Sequence, residues 1–320
     1  MKLLSITMII ILALLLFIFL LTYILFRIIF YVPDRDPNDD SYRIPKDKKY
    51  EPYVELLVKW MKNFRTMPHE VFSITSFDGL SLYGNYYEYE PGAPIELMFH
   101  GYRGTAEHDL SVGIQRCFSM GHSALIVDQR ASSRSGGNVI SFGINEHRDC
   151  LSWIDFMVSH FGPDVKIIPG GISMGASTVL MAAGHPLPPN VLYVMADCGY
   201  SSANEIIKKC ARQIHLPANF FYPFVKLAAK IWGHFDLEET SPAEAMKTCK
   251  VPVVFIHGEA DDFVPHEMSI KNYEACQAPK KLLLVPGAFH GVSYITDKEG
   301  YINALLEVKK IASKNSQTNI

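Results

Sequence analysis

The chain has 320 residues, 30 basic and 33 acidic side chains, a net charge of -3 and 48% hydrophobic residues. That charge balance gives no reason to expect a nucleic-acid partner, and the absence of internal repeats or low-complexity tracts excludes repeat and largely disordered architectures. The six cysteines (Cys117, Cys150, Cys198, Cys210, Cys249, Cys276) are scattered rather than gathered into the dense framework of a small secreted domain, although an even number leaves disulfides open.

Between Leu3 and Phe26 there is no charged residue, and only Ser5, Thr7, Thr22 and Tyr23 carry polar groups. At about 1.5 Å per helical residue the run can cross a hydrocarbon core of roughly 30 Å. It is followed by Arg27, Phe30 and Tyr31, which suit a membrane interface, and not by a small-residue cleavage site. Residues 1–31 are therefore expected to be a retained single-pass transmembrane anchor. Lys2 lies on one side of this run and Arg27, Arg35, Arg43, Lys46, Lys48 and Lys49 lie on the other, so the positive-inside count leans towards a cytosolic catalytic domain. Residues 33–52, rich in Asp, Lys, Pro and Tyr, read as a linker, and 55–64 as a short amphipathic helix. Residues 32–64 would then connect the anchor to one folded domain at 65–315.

That domain opens with strands at 71–76 and 80–88, joined by Phe77-Asp78-Gly79, where Asp-Gly marks a hairpin. Strands and helices then alternate. Strands are expected at 95–99, 123–128, 165–169, 191–196, 251–256 and 281–285, with helices at 108–118 and 145–160 and a closing helix that includes 304–311. A hairpin followed by repeated β–α units means an α/β fold with a mostly parallel central sheet covered by helices on both faces.

The strand at 165–169 runs into Gly170-Gly171-Ile172-Ser173-Met174-Gly175-Ala176 and then an Ala- and Leu-rich helical run. A Gly-x-Ser-x-Gly sequence between strand and helix is the context of a nucleophile elbow, in which glycines let strand and helix approach while the serine hydroxyl stands clear. A serine hydroxyl needs a base to take its proton, commonly a histidine oriented by a carboxylate. Both partners follow, each in the loop after a strand: Asp261 in His257-Gly258-Glu259-Ala260-Asp261, and His290 in Pro286-Gly287-Ala288-Phe289-His290-Gly291. Asp262 and Asp197 compete with Asp261 for the acid role. The backbone N–H of Met174, just after the nucleophile, and that of Tyr102, in His100-Gly101-Tyr102-Arg103-Gly104, are the expected oxyanion-hole donors, with the Tyr102 ring also walling the pocket.

Taken together, Gly171 to Gly175, His100 to Gly104, Asp128-Gln129-Arg130, His257 to Asp261 with Val264-Pro265, and Gly287 to Gly291 resemble the α/β-hydrolase superfamily. More narrowly, they are similar to membrane-anchored bacterial hydrolases of the serine aminopeptidase and prolyl-oligopeptidase-like branch. The resemblance covers roughly residues 65–315. It implies the α/β-hydrolase fold, a Ser173, Asp261, His290 triad and no metal or organic cofactor, and it favours Asp261 as the acid. The chain departs from the pattern at Ala131-Ser132-Ser133, where relatives often carry Ala-His-Gly. Residues 198–242 add helical material at 204–214 and 220–232, whose aromatic residues suit either a small cap over the site or ordinary core packing.

These readings lead to a membrane-anchored serine hydrolase acting on an ester, thioester or amide, with an esterase favoured and a small-molecule or lipid-like acyl substrate expected. A peptidase or acyltransferase on the same triad is the enzymatic alternative, and a non-catalytic membrane-tethered binding protein on the same fold is the other. The anchor is expected not to build the site, because every proposed catalytic residue lies beyond residue 100. Removing residues 1–45 should then leave a soluble domain with near full activity on short esters.

Overall fold

The computed structural model describes residues 2–33 and 47–318, so the linker stretch at 34–46 lies outside the described residues. In chain order its elements are α1 (Lys2–Ile29), a 3₁₀ turn (Lys48–Tyr53), α2 (Val54–Thr66), β1 (Glu70–Thr75), β2 (Ser81–Tyr87), β3 (Ile95–Phe99), α3 (Ala106–Ser119), β4 (Ser123–Asp128), α4 (Glu146–Phe161), β5 (Ile167–Ile172) and α5 (Met174–Ala183). They continue with β6 (Val194–Asp197), α6 (Ala203–Gln213), α7 (Ala218–Trp232), α8 (Pro242–Met246), β7 (Val253–Gly258), α9 (Glu267–Ala275), β8 (Lys280–Val285), α10 (Ser293–Thr296) and α11 (Lys298–Thr318).

Eight strands form one sheet in the order β1-β2-β4-β3-β5-β6-β7-β8. The β1–β2 hairpin turns through Gly79 at φ 87°, with the Ser76 hydroxyl donating to Asp78 Oδ1 at 2.6 Å. β2 also runs antiparallel to β4, and all pairs from β4–β3 to β7–β8 are parallel. Because side chains alternate across a strand, β3 and β4 feed two separate cores. Leu97, Phe99, Leu125 and Val127 meet Trp153, Val179 and Leu180 on one face, while Met98 and Ile126 meet Leu110 and Ile114 on the other. A third cluster sets Val254 and Ile256 against Leu305 and Val308 of α11. Helices cover both faces, which is why these strands read as nearly unbroken apolar runs.

The strand order reverses at β3, which has β4 on one side and β5 on the other. Loops leaving the carboxyl ends of β3 and β5 diverge there and open a crevice. The elbow strand extends further than the residues at 165–169 predict, reaching Ile172. Pro169, Gly170 and Gly171 stay in the ladder beside Leu97, Met98 and Phe99, so tertiary pairing overrides their poor strand propensity.

α1 carries a 27-residue apolar stretch, Leu3–Ile29, that is long and apolar enough to cross a membrane. The expectation that it stands apart from the domain is corrected by its last turns. Phe30 is fully buried, with Phe142 and Phe235 rings at 5.8 and 5.4 Å, and Phe26 and Val32 join the same cluster. Val32 N–H donates to Asn138 O and Ile140 N–H to Phe30 O, both at 2.8 Å, so residues 30–32 pair with 138–140 as a short antiparallel bridge. Higher up α1, Phe19 and Tyr23 pack on Trp232 of α7, whose indole N–H donates to the Thr22 hydroxyl at 3.2 Å. An aromatic residue at the end of an apolar run reads equally as an interface anchor or a docking residue; Phe30 is the second.

Candidate active site

Ser173 stands between β5 and α5 at φ 57°, a left-handed conformation that costs a non-glycine residue strain and survives only where the surroundings enforce it. The neighbours do so. A Cβ on Gly171 would lie 2.2 Å from the Gly175 carbonyl carbon, and one on Gly175 would lie 2.1 Å from the Phe99 carbonyl oxygen. Both positions exclude any side chain, so the small residues around Ser173 are a packing requirement of the elbow. Ser173 N–H donates to Asp197 O at 2.8 Å, tying the turn to the end of β6. α5, buried along its whole length, begins at Met174, whose N–H has no intrahelical acceptor and points its dipole end towards the serine.

The expected partners converge from two other strand ends. His290 Nε2 lies 3.0 Å from Ser173 Oγ, and His290 Nδ1 lies 2.6 Å from Asp261 Oδ2. The remaining oxygen of Asp261 accepts the Phe263 and Val264 N–H groups at 2.9 and 2.8 Å. Burial pushes this carboxyl up, but hydrogen bonds from His257 and His290 outweigh it and hold Asp261 below the ordinary carboxylate range. The ionised acid thus fixes Nδ1 of His290 as the protonated nitrogen and leaves Nε2 to accept the serine proton. Gly258 lets this loop approach the loop after β8 that carries His290, since a Cβ there would meet Ala288 O at 2.2 Å.

The competing acids are occupied elsewhere. Asp262 pairs with Lys49 at 2.5 Å, and Asp197 accepts a hydrogen bond from Tyr301 at 3.1 Å, its carboxyl raised to about 6 chiefly by burial. Neither is bonded to His290.

Several contributors escape sequence reasoning. His257, within the same motif as Asp261, sends Nε2 towards Val264 O at 2.8 Å and Asp261 Oδ2 at 3.2 Å while Nδ1 meets the Ser269 hydroxyl at 2.6 Å. A carbonyl only accepts, so Nε2 carries the proton and this histidine braces the acid loop. Tyr50, from the 3₁₀ turn before α2, donates its hydroxyl to His290 O at 3.1 Å and lines a cavity of about 350 Å³ beside Ser173, together with Thr105, His108 and Leu57. Nothing in the polarity of residues 47–53 announces this. The unusual segment after Arg130 is structural: Arg130 is buried between Asp149 (2.7 Å) and Asp78 (2.9 Å), and Ser132 donates to Gly104 O at 3.1 Å.

Tyr102 follows β3 and lines the crevice with Ser173. Its hydroxyl has an unexpected partner, donating to Ile29 O at 2.7 Å, and Arg103 Nη2 donates to Ile28 O and Tyr31 O at 2.8 and 2.9 Å. The last carbonyls of a helix lack intrahelical donors and carry the negative end of its dipole. The loop expected to hold the oxyanion therefore also caps the apolar helix.

The strand order and the helices on both faces are those of the α/β-hydrolase fold. The solved esterase Pf2001 of Pyrococcus furiosus superposes with a TM-score of 0.63 at 18% identity, covering 88% of this chain and 97% of that one. No family model matches. Among curated proteins, the uncharacterized YqkD of Bacillus subtilis (strain 168) is 25% identical over 247 residues, 77% of this chain and 81% of its own length. The bifunctional esterase/perhydrolase DCH of Acinetobacter calcoaceticus is 32% identical over 111 residues, 28% of this chain and 40% of that protein.

Proposed function

We propose that the chain is a membrane-anchored serine hydrolase, most suited to carboxylic esters. The observation that carries this reading is the continuous hydrogen-bonded path from Ser173 Oγ through His290 to Asp261 at a strained strand-to-helix turn. Ser173 Oγ attacks the acyl carbon as His290 Nε2 takes its proton, and the Tyr102 and Met174 N–H groups hold the oxyanion. The bond to the leaving alcohol breaks as His290 returns the proton to that oxygen. Water then adds to the acyl-serine under the same base, releasing the carboxylic acid and regenerating Ser173. Esterases among the neighbours in fold and sequence support ester chemistry, beside one acylaminoacyl peptidase of the same fold. The apolar span of α1 supports anchoring, and the positive-inside count supports a cytosolic domain.

The test is active-site labelling with a short fluorophosphonate. The wild type should be labelled, and Ser173→Ala should lose both the label and ester turnover, the latter by a factor on the order of 10⁶. Retained labelling in the variant would remove Ser173 from this role.

A further inference from the structure

Two cavities meet at Ser173, and they differ in chemistry. The one containing Tyr50, Thr105, His108 and His290 has many polar groups. The other, of about 480 Å³, lies between α1, α6 and α7 and is walled by Leu25, Ile29, Ile207, Phe221 and Val225. Its size falls in the range of about 300–1,000 Å³ typical of small-molecule sites. Its outer rim includes Ile214 and Leu216, which are 67% and 41% exposed and continue into Phe220, 63% exposed. Large apolar residues left open around a cavity mouth mark a surface that something apolar covers.

The geometry of α1 says what covers it. The 27-residue span Leu3–Ile29 is about 40 Å long, some 10 Å more than a hydrocarbon core of roughly 30 Å needs. At the end that packs on the domain, Tyr23 and Trp232 form an aromatic pair at 5.0 Å and Arg27 lies over the Tyr31 ring at 3.9 Å, the composition of a membrane interface. Phe19 packs on Trp232 while Leu25 and Val225 line the same cavity, so α7 lies antiparallel to α1. The cavity is thus walled by Leu25, Ile28 and Ile29, the residues with which α1 passes from its apolar span into the domain.

Resting on the serine-hydrolase reading above, we propose that this cavity is an acyl-chain subsite walled partly by the membrane helix itself, and that the substrate is a single-chain lipid ester drawn from the bilayer. The acyl chain enters past Ile214 and Leu216 and lies against Leu25, Ile29 and Ile207, its carbonyl at Ser173. The polar leaving alcohol occupies the second cavity. A nearly wholly apolar cavity and one that also carries Tyr50, Thr105 and His108 meet at the nucleophile and match one chain and one head group.

The full-length protein in phosphatidylcholine nanodiscs is treated with a short-chain and a long-chain alkyl fluorophosphonate, and its kcat/KM is measured on butyrate and laurate monoacylglycerols. The wild type should react with the long probe at least ~10-fold faster than with the short one and prefer laurate by a similar factor. Ile207→Trp, or the milder Val225→Phe, should cut the laurate-to-butyrate ratio by about 10-fold or more. Equal wild-type reactivity with the two probes would overturn the subsite without relying on any variant. So would an unchanged ratio in both variants while the short probe still labels Ser173. Failure of the short probe to label the wild type would instead overturn the serine-hydrolase reading, which keeps the two failures distinct.

Discussion

Asp261 and Asp197 stand at successive strand ends, are both buried, and end up with opposite proton affinities. Asp261 is surrounded by donors, two backbone N–H groups and two imidazoles, so its charge is favoured inside the protein. Asp197 receives one side-chain hydrogen bond, from Tyr301, and its other oxygen has no partner among the described residues, so burial dominates and its carboxyl rises to about 6. Only Asp261 is bonded to His290, so only it can hold that imidazole in one tautomer. Asp261→Asn should therefore lower turnover by about 10⁴. Asp197→Asn and Asp262→Asn should cost less than about 10-fold. Parallel kinetics on the three variants check the assignment, and an Asp197 variant as damaged as the Asp261 one would reassign the acid.

At the scale of an element, β3 shows how a strand end is held in place. Its Glu96 is fully buried and bonded to Arg116 of α3 (Nη1 at 3.0 Å, Nη2 to the second oxygen) and to His122 at 2.8 Å. Burial pushes the carboxyl up, yet Arg116 and His122 outweigh it and hold it at about 2, against an ordinary 4.5. A depressed carboxylate contributes its stabilisation fully above the unfolded value and loses it as pH falls through the folded one. This contribution, on the order of 3 kcal/mol at roughly 1.4 kcal/mol per pH unit, should disappear between pH 4.5 and about 2. Acid titration monitored by circular dichroism should show that loss in the wild type. Glu96→Gln, which leaves Arg116 buried without its counter-charge, should be roughly 3–5 kcal/mol less stable at neutral pH and flatter across the acid window. An identical acid profile in the variant would show that the trio is not the titrating element.

For the whole molecule the decisive contact is between α1 and the domain. Phe26, Phe30 and Val32 are each at least nine-tenths buried, and at about 2 kcal/mol per buried apolar side chain their removal withdraws roughly 6 kcal/mol from a total of order 5–15. It also uncovers Phe142 and Phe235 and leaves the Tyr102 and Arg103 side chains without the carbonyls they cap. Deleting residues 1–45 should therefore give a protein that aggregates or melts well below the full-length form. Its activity on short esters should be reduced, and that on long-chain esters reduced further. Thermal melts and chain-length kinetics of the two forms in the same detergent decide the matter. A truncated protein matching full-length stability and rate would show that α1 is a tether alone.

Most of this molecule's framework is legible in its residues because the signals are local. Strand alternation and apolar runs mark all eight strands, and Gly171, Ser173 and Gly175 announce the elbow because its geometry tolerates nothing larger at two of its positions. Asp261 and His290 are legible in the loops that follow their strands, since a parallel sheet brings successive carboxyl ends to one edge. The sequence by itself also determined that α1 is long enough to span a bilayer. What the tertiary structure alone decided is where distant segments meet. Phe30 in a fully buried seat, Tyr50 against His290 and the apolar cavity completed by Leu25 and Ile29 all depend on docking between segments far apart in the chain. No periodicity records such docking, because an aromatic side chain beside an apolar run has the same composition whether it faces lipid or the core of its own domain.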